Sequence, residues 1–448
     1  MPIDSLHPEY VTRAPQWIRC RDVIEGSDVI KNKGVSYLPK LLGQTNAEYL
    51  AYKKRALFFS VSGRSLSGLV GMLIRRQPTV TKTPQMDKYF EDSSHGHMSF
   101  SELISYTANE VLMVGRVFIL IDWPSAGGDP YITTYNSECV INWSVDDAGT
   151  LQWLVIKEQV VDPTETDPFD QTMVDVYRHI RVEDGAYTID TYDDTLTLIS
   201  SVSPTVSGAV LDRIPGVMVT PSGVSMTLEK PPILDIVDVN LSQYMTSADL
   251  EHGRHFTALP TPVVSGVNMD TELKIGSQTA WAIPEKAKAY YLEFQGSGLN
   301  SLEKAMGEKT SQMAQFSTRL MDTSSRGSEA ADTVRLRHSG EAATLSGVAY
   351  AIESAMNIIY GTIAELEDLG DVNIDLNKDF LDTRLSHADL RELTASLVSG
   401  AIDEETYFYN LERGEIVPQH KERFDSKVVR SDTNGESSPQ PQQQELSE

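Results

Sequence analysis

The chain has 448 residues, a formal net charge of −26 and a pI near 4.7, with 40% hydrophobic and 23% charged residues. That charge argues against a protein that grips nucleic acid through a broad basic face, because phosphate contacts dominate such affinity. An acidic wall is also what a passage needs if phosphate is to slide by without sticking, while simple solubility is the blander account of the same number.

The length sets an expectation of two or three domains. No apolar run approaches the roughly 20 residues that cross a bilayer. The opening Met-Pro-Ile-Asp-Ser-Leu-His-Pro has neither the basic region nor the apolar core of a signal peptide. The two cysteines, Cys20 and Cys139, have no metal-ligand spacing and exclude a disulfide framework, so the expected folding compartment is the cytoplasm.

In chain order, Tyr10 to Val29 is a candidate helix and residues 34–39 an extended or turn segment. Thr45-Asn46 can cap a helix, with Glu48 as first-turn negative charge. That helix takes in Tyr49 to Phe59 and has the pattern to continue from Gly63 to Ile74, where Gly63, Gly68 and Gly71 suggest close packing. Ser99 and Glu102 form a capping-box pattern ahead of a helix from Phe100 to Val114, ended by Gly115. Arg116 to Trp123 is a buried-type strand. Short strands follow at Tyr131–Tyr135, Val140–Trp143, Leu151–Ile156, Thr172–Tyr177 and Ala186–Ile189, with hairpin turns at Asp146–Gly149 and Glu183–Gly185. Residues 100–230 therefore predict an α+β domain with a mostly antiparallel sheet.

The stretch from Pro231 to about Val334 organises the rest. Pro231-Pro232 suit the first turn of a helix. Ile233, Ile236, Val237, Val239 or Asn240, Leu241, Tyr244, Met245 and Ala248 then recur at helical spacing. The helix must stop before Leu259-Pro-Thr-Pro262. A small β-rich segment follows, with strands at Val263–Val267, Lys274-Ile275, Ala280–Ile283 and Ala289–Phe294, and a second helix runs from about Leu299 to Met321. A helix of roughly 24 residues is about 36 Å long. The β segment is thus expected to stand well away from the helix roots, and one monomer is not expected to bury both sides of the projection. Residues 323–332 form a loop of small and polar side chains.

A long helix from about Val334 to Leu369 carries a heptad-like seam of Leu345, Val348, Ile352, Met356, Ile359, Ile363 and Leu366. Gly370-Asp371 stops it, and Val372 to Leu376 alternates as a strand. Two short helices, Ser386–Ser399 and Asp403–Arg413, precede a tail that loses its hydrophobics from about Ser426.

Catalytic patterns are missing. His252 and His255 share a helix face, but only Glu251 stands near them, so an interfacial role outweighs a metal site. His95 and His97 lie in a polar loop expected at the surface. There is no His-Glu-x-x-His and no phosphate-cradling Gly-x-x-x-x-Gly-Lys-Ser/Thr. A nucleophile elbow fails at Gly63-Arg-Ser-Leu-Ser-Gly68. Asp146-Asp147 and Asp193-Asp194 read as turn carboxylates. No enzyme activity and no cofactor is expected.

The order of parts resembles the portal, or head–tail connector, proteins of tailed bacteriophages. Ala248-Asp-Leu-Glu-His-Gly-Arg-His-Phe256 followed by Leu259-Pro-Thr-Pro-Val-Val-Ser-Gly266 resembles the end of that family's first stem helix and the start of its clip. Tyr52-Lys-Lys-Arg-Ala-Leu-Phe-Phe59 with Gly68-Leu-Val-Gly-Met72, and Asn377-Lys-Asp-Phe-Leu-Asp382, resemble an uncharacterised portal-like branch. The resemblance covers roughly residues 35–418.

It implies an α+β chain in which residues 1–231 are wing, 232–257 the first stem helix, 258–297 the clip and 298–322 the second stem helix. Residues 323–334 would be the tunnel loop, 335–385 the returning wing, 386–418 the crown and 419–448 a mostly disordered tail. It further implies a homo-oligomeric ring, usually a dodecamer, at one capsid vertex of the virion, assembled in the host cytoplasm with major capsid protein and scaffold. Double-stranded DNA would pass through it without sequence reading. The terminase large subunit would dock on the clip and later yield to a head-completion adaptor or tail protein; no membrane is involved.

About twelve copies of this charge amount to on the order of −300. Lys304, Lys309, Arg319 and Arg326 are the candidates to track DNA, against partnership with Glu303, Glu308, Asp322 or Glu329. Arg326→Glu would then impair DNA retention without preventing ring assembly. Lys274, Trp281, Lys286 and Lys288 are the clip candidates for partner docking. The competing readings are a non-channel structural protein of a phage tail or baseplate, and an enzyme using His252 and His255.

Overall fold

The computed structural model describes residues 2–94, 96–124, 128–162, 169, 171–206, 209–258, 261–266, 286, 288–292, 298–321, 331–378, 380, 385, 387–414 and 416. It is an α+β chain that divides into two compact units, 1–380 and 381–448.

The first unit opens with α1 (Pro8–Glu25), broken from α2 (Ser27–Lys33) at Gly26, whose φ of 111° ends the first helix. A 3-10 turn at Gly34–Ser36 occupies the segment expected to be extended or turn. Next come α3 (Asn46–Arg55) and α4 (Val61–Leu73). The capping box is present: the Thr45 hydroxyl accepts from the Glu48 N–H, and Glu48 accepts from the Thr45 N–H. The helix does not run on to Ile74, because residues 56–60 form an extended link that other side chains hold. Gly63 does lie close to its neighbours, an added Cβ falling 3.6 Å from the Ile24 carbonyl, whereas Gly71 faces open space.

Strand β1 (Thr79–Thr81) and the short α5 (Asp87–Glu91) lead to α6 (Phe100–Val114). Its Ser99/Glu102 capping box forms, and Gly115 closes it in the left-handed region at φ 88°. A Cβ on Gly115 would approach the Glu229 carbonyl at 3.4 Å and Pro231 Cα at 3.5 Å, so this turn seats the approach to the next long helix.

Two antiparallel sheets follow. Strands β2 (Val117–Asp122) and β3 (Tyr131–Asn136) begin the first. Strands β4 (Val140–Val145), β5 (Leu151–Val161), β6 (Met173–Glu183), β7 (Ala186–Tyr192) and β8 (Leu198–Val202) make the second, paired in that order. Asp184 and Gly185 both have positive φ, 51° and 77°, as the two-residue β6–β7 turn requires. A two-strand ribbon of β9 (Thr205–Val206) and β10 (Ala209–Val210) precedes β11 (Gly216–Thr220) and β12 (Gly223–Val224). The first sheet runs β12-β11-β2-β3. Every residue of β2 is buried, because helices cover one face and the second sheet packs on the other.

Then come α7 (Leu234–Ala258), β13 (Thr261–Ser265), β14 (Lys288–Leu292), α8 (Leu299–Met321), α9 (Ala331–Leu366) and β15 (Asn373–Asp375). Six of the seven expected seam residues of α9 (Leu345, Val348, Ile352, Met356, Ile359 and Ile363) are buried, and Leu366 is half-buried. They share one core with α1, α3, α4, α6 and one face of β2. The other face of β2 and the second sheet close a core made wholly of residues within 100–230, with Phe118, Leu120, Trp143, Leu154 and Ile180 in it. Helix α9 begins at Ala331, so residues 331–334, expected in the loop, are helical. Strand β15 finds its partner 294 positions back, Ile374 opposite Val80.

The second unit contains α10 (His387–Val398) and α11 (Glu404–Arg413). Asp403 caps α11 by accepting from the Thr406 N–H at 2.8 Å. The serine expected to cap α10, Ser386, and the expected tail 419–448 lie outside the described residues.

Candidate functional site: the helix pair and its β tip

Helix α7 starts at Leu234, two residues after Pro232, so the two prolines lead into the helix instead of sitting in its first turn. The Val237 N–H to Ile233 carbonyl bond, 3.0 Å, is its first full turn. Ile233, Ile236, Val237, Leu241, Tyr244 and Ala248 are buried as their spacing predicts. Met245 departs from the stripe at 37% exposure, and the buried polar residues Asn240, Gln243, Thr246 and Ser247 join it.

Those polar residues explain the break between α3 and α4. Helix α4 has no cap from Ser60, its own N-cap residue. The Asn240 amide oxygen instead accepts from the Ser62 N–H and hydroxyl, at 3.2 and 3.0 Å, and its NH2 donates to the Phe59 carbonyl at 2.8 Å. The Ser247 hydroxyl accepts from the Leu57 N–H at 3.1 Å. Backbone groups freed by the break are thus satisfied from a different helix. Further along, Tyr52 donates to Asp249 at 2.6 Å, and burial with that carboxylate pushes the phenol well above its usual range.

His252 accepts from the Arg55 guanidinium at 3.3 Å and packs edge-on against Tyr52 and Phe256. Burial, then the Arg55 charge, holds its pKa below the ordinary imidazole value. These contacts tie α7 to the packed unit as far as His252, so only its last six residues run beyond that support, about 9 Å of helix. The apolar stripe of α7 is thus buried within one copy of the chain.

Helix α8 occupies the residues expected of it and crosses α7 through polar contacts. Gln243 donates to Thr310 at 2.8 Å, and Arg254 bridges Glu251 at 2.8 Å and Glu303 at 2.9 Å. A Cβ at Gly253 would fall 2.5 Å from Leu299 Cδ2, so the helices approach closely near their tip. Strands β13 and β14 close the pair as an antiparallel ribbon, Val263 opposite Tyr290 and Ser265 opposite Lys288.

Of the candidate basic residues, Lys304 points outward with Glu308 at 3.9 Å. Lys309 turns inward: its ammonium donates to the Ser242 carbonyl at 3.0 Å and to the Thr246 hydroxyl, and desolvation lowers its pKa. Among the described residues neither Glu303 nor Glu308 pairs with it, and Asp322 and Glu329 lie outside the described residues; the signal for its position is the run of buried polar residues on α7. Arg319 lies on α8 beyond the side chains described, and Arg326, Lys274 and Trp281 lie outside the described residues. Lys286 and Lys288 are both exposed at the tip.

Chemistry is sparse elsewhere. Among the described residues there is no group of three His, Cys, Asp or Glu arranged to hold a metal, and no helix long and apolar enough to cross a membrane. His97 pairs with Asp92 at 2.8 Å on the surface, and His95 lies outside the described residues. Asp146 and Asp193 accept backbone N–H groups of their own turns, as expected. Both cysteines are free thiols, with burial pushing Cys139 up to about 11 and Cys20 to about 12. An open groove of about 470 Å³ between α4 and α6 is lined by Ser67, Val70, Gly71, Ile74, Tyr106 and Asn109 among others.

The family described as "Domain of unknown function (DUF4055)" matches residues 232–374, which are α7 through β15 with the tip between them. No curated protein matches the chain. Among solved structures, a chain from the virion of a native gene transfer agent particle is similar at 11% identity and a TM-score of 0.42, over 85% of this chain and 98% of that one. A chain from the neck of the native particle, computed with C12 symmetry, gives 12%, 0.38, 78% and 89% in the same order. A chain from the neck of the empty particle, computed with C6 symmetry, gives 10%, 0.41, 86% and 97%.

Proposed function

We propose that this chain is a portal-type subunit, a non-enzymatic structural protein of a phage-like virion that forms a ring around passing duplex DNA. Residues 232–257 and 298–322 serve as the stem, 258–297 as the clip, 323–330 as the tunnel loop and 386–418 as the crown. The packaging motor docks on the clip, and a head-completion or tail protein replaces it there.

The observation that carries this reading is the character of α8. It leaves and rejoins the packed unit as half of a ribbon-tipped pair, and of its side chains from Leu299 to Phe316 only Met313 is buried. Its exposed positions include Asn300, Ser301, Glu303, Lys304, Glu308, Ser311, Gln312 and Gln315, and the one lysine nearest its centre is turned away. Such a surface has no excess of positive charge and many short hydroxyl and amide groups, so a phosphate backbone can move along it without being held. Lys304, Arg319 and Arg326 supply the few cations that follow the backbone.

Electron microscopy of the purified full-length chain, with averages viewed down the symmetry axis, tests this. A ring of about twelve subunits enclosing a hole wide enough for duplex DNA is expected. A closed oligomer without a passage would overturn the reading.

A further inference from the structure

Charge is unevenly spread along the chain. Residues 1–90 contain 14 Lys and Arg against 7 Asp and Glu, a net of +7, which leaves −33 on residues 91–448. Asymmetry of this size points to an interaction surface.

Part of the excess gathers on α2, α3 and the loop between them. Lys33 pairs with Asp22 at 3.3 Å, and Lys40 bonds the Asn46 side chain and lies over the Tyr49 ring. Among the described residues Lys31, Lys53 and Lys54 have no carboxylate partner. Their places in the last turns of α2 and α3 suit the helix dipoles, which accounts for their sign. It does not account for the apolar side chains among them.

The loop is anchored, since the buried Tyr49 donates to the Leu38 carbonyl at 2.9 Å. From it stand Leu41, 40% exposed, and Leu42, fully exposed, with Val35 and Leu50 more than half exposed nearby. Phosphate needs no leucines, whereas an apolar centre inside a charged rim is the anatomy of a protein interface.

We propose that the surface formed by Val35, Leu41, Leu42 and Leu50, rimmed by Lys31, Lys53 and Lys54, docks onto an acidic face of a second copy of this chain. Charge complementarity names the occupant. Each copy carries a +7 segment and a −33 remainder, so a head-to-tail contact brings opposite signs together at every repeat around a ring. The inference rests on the ring reading above and supplies the contact that builds the ring.

The test uses the full-length chain, the Lys53→Glu/Lys54→Glu double variant, and a chain with a photo-crosslinking residue at position 42. Assembly is followed by analytical ultracentrifugation at low and high salt, with circular dichroism as the fold control. The wild type is expected to assemble more readily at low salt. The charge-reversed chain should need at least about tenfold more protein to assemble, a 1.4 kcal/mol weakening of each contact. Crosslinks from position 42 should map to an acidic peptide of another copy. Assembly of the double variant at wild-type concentration would overturn the contact while leaving the ring standing. Crosslinks to added duplex DNA instead of protein would make the patch a nucleic-acid surface and also overturn it. A wild-type chain that stays monomeric at every concentration and salt would remove the ring reading and this contact with it.

Discussion

The amide oxygen of Asn240, in the second turn of one long helix, accepts from both the backbone N–H and the hydroxyl of Ser62 in the first turn of another. This is an N-cap delivered from 178 residues away, since Ser60 makes no side-chain cap of its own. Asn240→Ala would leave the Ser62 N–H and the Phe59 carbonyl unsatisfied in a buried setting. The expected loss is about 1–3 kcal/mol of unfolding free energy, read from urea melts. A change within experimental error would show that water replaces the amide.

Lys309 gives a second prediction. Its ammonium lies between α7 and α8 on neutral oxygens, and desolvation lowers its folded-state pKa. The unfolded chain therefore binds this proton more readily. Stability rises with pH from the folded pKa up to the ordinary lysine value and is lost again below that window. Buried tyrosines such as Tyr52 and Tyr244 titrate in the opposite sense at alkaline pH, so the difference between wild type and Lys309→Met is the informative quantity. Lys309→Met should be as stable as wild type or more so at neutral pH, with the gap narrowing as pH rises toward 10.5. A gap that widens would contradict the assignment.

Among the described residues, three histidines bear on stability at mildly acidic pH. His7, stacked on Trp143, His179 and His252 all have folded pKa values lowered chiefly by burial. Each favours the neutral ring when folded, so stability should fall as pH drops below 6.5 and keep falling through the folded values. His252→Gln should reduce that slope between pH 6.5 and 5 and leave stability at pH 8 little changed. Identical slopes in thermal melts across this range would remove His252 from the account.

The Arg21 guanidinium is clamped by two carboxylates, Glu110 at 2.7 Å and Glu138 at 2.5 Å, with Glu110 almost wholly buried. Glu110→Ala leaves Arg21 one partner and opens space beside it. A cost on the order of 2–3 kcal/mol is expected, below the usual cost of breaking a buried pair because Glu138 remains. Glu138→Ala should cost less, since its side chain is partly solvated. The reverse order in denaturant melts would place the buried charge balance elsewhere.

Much of this architecture could be read from local pattern, because its signals act over a few residues. The boxes at Thr45/Glu48 and Ser99/Glu102, the Asp184-Gly185 turn and the limits of α8 all follow from side chains within one turn of the feature they set. What was not legible depends on distant partners. The break at residues 56–60 is stabilised by Asn240 and Ser247, and β1 acquires strand character only because β15 lies beside it. Lys309 was a candidate to track DNA or to pair with an acidic neighbour, yet its environment is decided by Ser242 and Thr246 on the facing helix. The basic surface on α2 and α3 was hidden by an overall charge of the opposite sign.

The ladder between Val80 and Ile374 closes a loop of nearly the whole first unit, and within it β13 and β14 close a smaller one between Ser265 and Lys288. Loop-closure entropy grows only with the logarithm of length, so doubling the inner connection costs about 0.6 kcal/mol. Because both ribbon ends lead into helices anchored well below them, that small cost is the main thermodynamic resistance to lengthening the tip. Insertions and deletions between Ser265 and Lys288 are therefore expected to leave the stability of the core almost unchanged.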